Sequence, residues 1–288
     1  MATTQAASFT QASTGTSARS RIHARVRELG LERNVAELES VGYTVIEGAA
    51  PLDLFDRIRD AVVAVTEEVD ARCPERVCFG PGTSMVYRLL AERDVFAEAV
   101  LVDTLTAVMT YLLGDGYCAQ VTTGSVLRPG SQPGPLHSDN QFFPDPFPPQ
   151  VHMATAIWCC DDFTEANGST HVVPGSNRRY RHPRPGEALD EVVPVVAPRG
   201  SIVVWSGHTW HRSGGRTAPG ERVALHTAFS RPHIRPFEAY SDAEIAHLVE
   251  LDPRFARLTG SDLPYHYRGD TPDPAKLLGL AMTTQAQG

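Results

Sequence analysis

Apolar residues recur at helical spacing in two stretches of the first half of the chain: Phe55, Ile58, Val62, Val65 and Val69, then Leu101, Leu105, Val108 and Leu112 ahead of Gly114. Steps of three and four place each set on one stripe of an α-helix, so both stretches predict helices that face a core. Beyond Gly114 the pattern shifts to short β-branched and aromatic runs bounded by glycine and proline. These predict strands at 119–128, 151–160, 191–196, 201–205 and 222–229, with an earlier one at 43–47. Ser241 and Glu244 form a capping box that predicts a later helix through Leu251. Helices followed mostly by strands imply an α+β protein, mainly β with packed helices.

At 288 residues the chain is long enough to bury one large core, and a single domain over 21–288 is expected. Residues 1–20 are rich in Ala, Ser, Thr and Gln without periodicity, a composition that cannot bury enough surface to offset ordering, so a disordered tail is predicted there. Near the other end only a short helix at 276–282 is expected. A net charge of -8 argues against a nucleic-acid partner. Neither a signal peptide nor a run of about 18 apolar residues is present, so no membrane partner is expected. The five cysteines include an adjacent pair, Cys159 and Cys160, and no C-x-x-C spacing, which fits reduced thiols in a cytoplasmic protein. A small-molecule partner follows by elimination, while oligomeric state stays open.

Candidate chemistry begins at Leu136-His137-Ser138-Asp139. Residues two apart on a strand project to one side, so His137 and Asp139 can chelate one cation. One nitrogen and one oxygen ligand suit a ferrous ion awaiting a second histidine better than a structural zinc site. Candidates lie downstream, where the strand at 201–205 leads into Ser206-Gly207-His208-Thr209-Trp210-His211-Arg212-Ser213 and then, past a glycine-rich turn, into the strand from Arg222. The two strands read as a long-looped β-hairpin that sets His211 and Ser213 across the ladder from Arg222. Two histidines and a carboxylate leave three positions open on iron, enough for a bidentate 2-oxo acid and dioxygen. The far carboxylate of 2-oxoglutarate then needs a fixed cationic fork, and Arg222 meets that requirement.

The order His137-x-Asp139, then Asn167-Gly168 with Val172-Val173-Pro174-Gly175-Ser176, then His211, Ser213 and Arg222, resembles the phytanoyl-CoA dioxygenase family of Fe(II)/2-oxoglutarate oxygenases over roughly residues 40 to 235. The resemblance implies a double-stranded β-helix, the cupin-like jelly roll, wrapped by N-terminal helices. It implies iron held by His137, Asp139 and His211, and the outer carboxylate of the co-substrate held by Arg222, eleven positions after His211. Ser213 occupies a position where that family often has a co-substrate hydroxyl. Two positions depart from the pattern: Pro135 stands where some members have a co-substrate glutamine, and Ile157 where many have tryptophan. The implied activity is hydroxylation or another oxidation of an unactivated C–H bond in a small organic molecule, with a specialised metabolite as the first expectation. An acyl-CoA, carrier-tethered or amino-acid hydroxylase is the second. The retained Asp139 argues against the halogenating branch, where a small residue frees that coordination position. Readings of other classes are a non-catalytic jelly-roll binding module and a hydrolase using another divalent metal.

Other residues compete for roles. His208 cannot share a strand face with His211, and only His211 has the interval to Arg222. His226 shares the face of Arg222 and reads as a neighbour of the site outside the ligand set; His171 reads as a turn residue. Phe142 and Phe143, with Phe147 in a proline-rich segment after the metal pair, are candidate substrate contacts in a lid, and Arg128 is a candidate for a substrate carboxylate. The cluster Arg178, Arg179, Arg181, His182 and Arg184 is either a solvated surface or a docking patch for an acidic substrate.

Overall fold

The computed structural model describes residues 18–76 and 78–262. In chain order its main elements are α1 (Ala18–Glu28), α2 (Glu32–Val41), β1 (Tyr43–Ile46), α3 (Leu52–Arg72), β2 (Cys78–Gly80), β3 (Thr83–Val86), α4 (Asp94–Val100), α5 (Asp103–Leu113), β4 (Cys118–Leu127), β5 (Met153–Cys159), β6 (Thr170–Val172), β7 (Val193–Pro194), β8 (Ile202–Ser206), β9 (His211–Ser213), β10 (Arg222–Ser230), α6 (Asp242–Leu251) and α7 (Phe255–Leu258). The predicted stripe of α3 is fully buried at Phe55, Ile58, Val62, Val65 and Val69, each worth roughly 1.5–3 kcal/mol of burial. Helix α5 buries Leu105, Val108 and Leu112 and stops at Gly114, whose φ of 82° lies in the region that favours glycine. The Ser241–Glu244 capping box starts α6. No single helix among the described residues is long and apolar enough to cross a membrane.

The strands form a seven-stranded sheet in the order β1-β8-β5-β10-β4-β3-β2 and a three-stranded sheet in the order β7-β6-β9. Strand alternation gives the large sheet two different faces. Ala154, Ala156, Trp158, Ile202, Val204, Val223, Leu225 and Phe229 join α3 and its neighbouring helices in the main core, where Trp158 meets Phe55 at 5.1 Å between ring centroids. The intervening residues Ile157, Val203, Trp205 and Ala224 face the other way and pack with Phe163 and Val172, so β6 of the small sheet lies against this inner face. The architecture is mixed α and β, helices on one face of the large sheet and the small sheet on the other.

Three expectations need correction. Strands β8 and β10 do not form a hairpin, because β5 lies between them and pairs with both; the segment after β8 crosses to the small sheet, where β9 pairs with β6. The strand expected at 191–196 shrinks to Val193–Pro194, since Pro194 has no N–H to extend a ladder. The tail expected over 1–20 overlaps α1, which starts at Ala18; Ala18 and Val26 are buried, and Arg25 pairs with Asp103. Residues 1–17 and the helix expected at 276–282 lie outside the described residues.

Gly124 on β4 marks a close approach of α3 to the sheet, because a Cβ there would stand 2.7 Å from Cγ1 of Val62. Gly124→Ala is therefore expected to destabilise the protein by about 1–3 kcal/mol. A thermal melt of the variant checks this, with a clearly lowered midpoint as the expected result.

Candidate metal centre

His137 and His211 face each other across a single antiparallel bridge. Each backbone N–H donates to the other's carbonyl, at 3.0 and 2.9 Å, so the two side chains leave on the same side, with ring centroids 4.3 Å apart. The segment around His137 is extended at this one bridge and is not a longer strand. Two positions on, Asp139 projects to the same place. Its Oδ1 lies 3.8 Å from His137 Nε2 and 3.5 Å from His211 Nε2, and the three donor atoms fall within 4.8 Å of one another.

Polar neighbours orient each ligand. His137 Nδ1 lies 2.9 Å from the Pro135 carbonyl and His211 Nδ1 3.0 Å from that of Thr209, which places the ring proton on Nδ1 and leaves Nε2 free to bind a metal. Asp139 divides its oxygens: Oδ2 accepts from Thr155 Oγ1 at 2.7 Å and from Trp205 Nε1 at 2.9 Å, while Oδ1 faces the histidines. Burial works to raise the Asp139 pKa, but His211, His137 and these two donors outweigh it, and the carboxyl is held below its usual range. Burial pushes His211 down. Both shifts favour the metal-binding forms, a carboxylate and a neutral imidazole. Two imidazole nitrogens and one monodentate carboxylate, with one side open, fit ferrous iron.

The open side is a cavity of about 650 Å³ that all three ligands line. Arg222, on the inner face of β10, is 2% exposed and reaches it from below. Its Nη2 donates to the Gly168 carbonyl at 2.9 Å, but Nε and Nη1 are buried without a partner among the described residues. Its Cζ stands 4.7 Å from the Phe163 ring centroid, and burial pushes its pKa down to about 10. A buried guanidinium with two unused donors is a costly arrangement in isolation and fits an incoming carboxylate. Ser213 also lines the cavity, and its Oγ accepts from Gly134 N at 3.0 Å.

The remaining candidates fall elsewhere. Arg128 pairs with Glu221 and Ser84 outside the cavity lining. Phe142 is half exposed and stacks on Phe237, and Phe143 packs on His152; Phe237 lines the cavity, whereas neither of these two does. Phe147 is buried against His208 and His182. His208 is buried away from the triad, and His171 sits in the middle of β6 instead of a turn. Two of the four clustered arginines are engaged within the protein: Arg179 pairs with Glu191, Arg181 with Glu187, and both lie over Trp210, while Arg178 and Arg184 are exposed. Sequence reasoning missed Met85, Tyr87, Thr123 and Ser125, which line the cavity. Strand alternation alone would have placed Thr123 and Ser125 on one face, but nothing in the sequence says which face is inward.

Thr155 and Trp205 hold Asp139 without touching a metal. Thr155→Val and Trp205→Phe are each expected to weaken Fe(II) binding by about ten- to a hundredfold, as measured by anaerobic metal titration, with the fold retained by circular dichroism.

Known proteins resemble this chain along most of its length. The model of the phytanoyl-CoA dioxygenase (PhyH) family matches residues 38–224. Dioxygenase af480 of Aspergillus fumigatus is 31% identical over 253 residues, covering 84% of this chain and 81% of that protein. Multifunctional dioxygenase ausE of Emericella nidulans is 25% identical and covers 78% and 82%. Among solved structures, iron-bound EctD from S. alaskensis superimposes with a TM-score of 0.61 at 18% identity, covering 73% of this chain and 81% of that one. The epimerase SnoN in complex with Fe3+, alpha ketoglutarate and nogalamycin RO gives 0.58 at 19%, covering 77% and 90%. With its two histidines and one aspartate in place, the chain belongs to the phytanoyl-CoA dioxygenase family and is an Fe(II)- and 2-oxoglutarate-dependent dioxygenase that oxidises a small molecule.

Proposed function

We propose that the substrate is a neutral, largely apolar organic molecule of specialised metabolism, oxidised at an unactivated C–H bond. The observation that supports this most directly is the apolar part of the cavity lining, which includes Met85, Tyr87, Val121, Met153, Ala228 and Phe237. Such a wall binds by burying apolar area and keeps water from the reacting carbon. The acyl-CoA reading loses part of its support, because two of the four clustered arginines that would greet a phosphorylated carrier, Arg179 and Arg181, are occupied by Glu191, Glu187 and Trp210. SnoN, whose printed complex pairs alpha ketoglutarate with nogalamycin RO, is a precedent for an organic natural product on this fold.

The division of labour follows from the residues. His137, Asp139 and His211 would hold the iron, which supplies the oxidising chemistry when bound, with 2-oxoglutarate consumed to succinate and carbon dioxide. Arg222 takes the outer carboxylate of the co-substrate through its two unused donors, and Ser213 offers a hydroxyl at the rim. Thr155 and Trp205 keep Asp139 monodentate. We also infer that the two sheets close as a double-stranded β-helix, a reading supported by the His137–His211 bridge and by the packing of β6 on the inner face of the large sheet.

Anaerobic addition of 2-oxoglutarate to the Fe(II) protein is expected to produce a weak visible charge-transfer band. Arg222→Ala should weaken that binding by about ten- to a hundredfold, as losing a charged hydrogen-bond partner costs roughly 1.5–3 kcal/mol. Unchanged affinity would remove the assignment of Arg222. A substrate panel scored for succinate above the uncoupled background tests the substrate class: turnover of neutral apolar compounds supports it, and turnover confined to acyl-CoA overturns it.

A further inference from the structure

The strand register fixes the height of the metal above the cavity floor. Thr155, which holds Asp139, stands directly across from Ala228 on one side and from Trp205, the other holder, on the opposite side. The row Trp205, Thr155, Ala228 therefore marks the level of the iron ligands. Arg222 lies three alternating positions along β10 on the same face, with Ala224 and His226 between. A molecule stretched from the metal to Arg222 must pass over these two residues, and His226 is the only one of the two with a polar group.

His226 is built for a contact there. Its Nε2 lies 2.9 Å from Ser125 Oγ on β4, which fixes the ring. Its Nδ1 has no protein partner among the described residues, and the side chain lines the cavity. On the adjacent strands its direct neighbours are Ile157, which offers no polar group, and Thr123, whose Oγ1 is buried without a partner. Burial, reinforced by Arg222, pushes its pKa down to about 3, so the ring is neutral at ordinary pH. The Ser125 hydroxyl can donate into Nε2, and in that tautomer Nδ1 carries the ring proton and is available as a donor.

We propose that His226, anchored by Ser125, is a positioning residue for the co-substrate, its Nδ1–H donating to an oxygen at the metal-proximal end of the 2-oxo acid while Arg222 holds the far carboxylate. This rests on the reading of Arg222 given above. The two contacts together set both ends of the co-substrate before the organic substrate binds over it.

Anaerobic titration of the Fe(II)-loaded full chain with 2-oxoglutarate, followed through the charge-transfer band, tests the proposal without turnover. His226→Phe is expected to weaken co-substrate binding about tenfold and to shift the band, with Fe(II) affinity within about twofold of the parent protein. His226→Gln, which restores a donor, should recover most of the loss. Ser125→Ala keeps the imidazole but frees it, and should weaken binding about threefold; it decides the matter if His226→Phe does not fold. Affinity and band unchanged in these variants overturn the proposal, as does a rise in KM for the organic substrate alone, which would transfer His226 to that ligand. A parent protein that binds iron but gives no band would instead count against the 2-oxoglutarate reading itself.

Discussion

The metal centre depends on one pair of backbone hydrogen bonds, those exchanged between His137 and His211. Two residues far apart in sequence become direct partners on antiparallel backbone, and that geometry alone sends both imidazoles to the same side at close range. Asp139 needs only the two-residue repeat of an extended chain to join them. The bridge belongs to the small-sheet side of the molecule, whereas the donors that hold Asp139, Thr155 and Trp205, belong to β5 and β8 of the large sheet. The triad is thus fastened to both sheets, and any shift of one against the other would open it. The hydrophobic contact of Val172 with Ile157, Val203 and Trp205 on the inner face opposes such a shift.

Arg222 introduces the opposite kind of constraint. A guanidinium with 2% exposure, one carbonyl partner and no carboxylate in contact is unfavourable for the fold taken alone. The Phe163 ring beneath it and the Gly168 carbonyl recover part of that cost. The remainder is offset only when an anion arrives, which makes the site selective for a ligand that brings a carboxylate to that depth. The same low-dielectric setting that makes a buried guanidinium costly would strengthen its hold on the co-substrate carboxylate proposed to bind there.

Much of this was legible in the sequence because it depends on short-range spacing. The two helical stripes, the capping box and most strands required only periodicity, and the His137-x-Asp139 pair and the interval from His211 to Arg222 are local counts. What failed was pairing between distant strands. The runs that became β8 and β10 are consecutive long strands separated by a turn-rich loop, so a hairpin was the economical reading. Nothing local reveals that β5 inserts between them, since β5 is equally apolar on both faces. The cavity lining was hard to read for a related reason. Phe142 and Phe143 follow the metal pair in sequence, yet Phe142 is half exposed and Phe237, from a different segment, stands at the cavity. Proximity along the chain is a poor guide where the lining comes from several strands.

The cavity divides chemically at the level of the metal. Along β4 the inward positions run from Val121, across from Ala228, to Thr123, Ser125 and then Leu127, across from Arg222. Below the metal row the polar groups Thr123, Ser125, His226 and Arg222 gather on β4 and β10, flanked by the apolar Met85, Leu127 and Ile157, whereas Val121, Met153 and Ala228 at and beyond it offer no polar side-chain group. A dicarboxylate co-substrate can satisfy the polar stretch, and an apolar molecule can satisfy the wall above, but exchanging them would leave Arg222 buried without an anion and place charge against hydrocarbon. On the proposed reading that mismatch orders the two ligands in the cavity. The organic substrate would then lie on the far side of the metal from Arg222, where the shape of the wall would select the carbon that is oxidised.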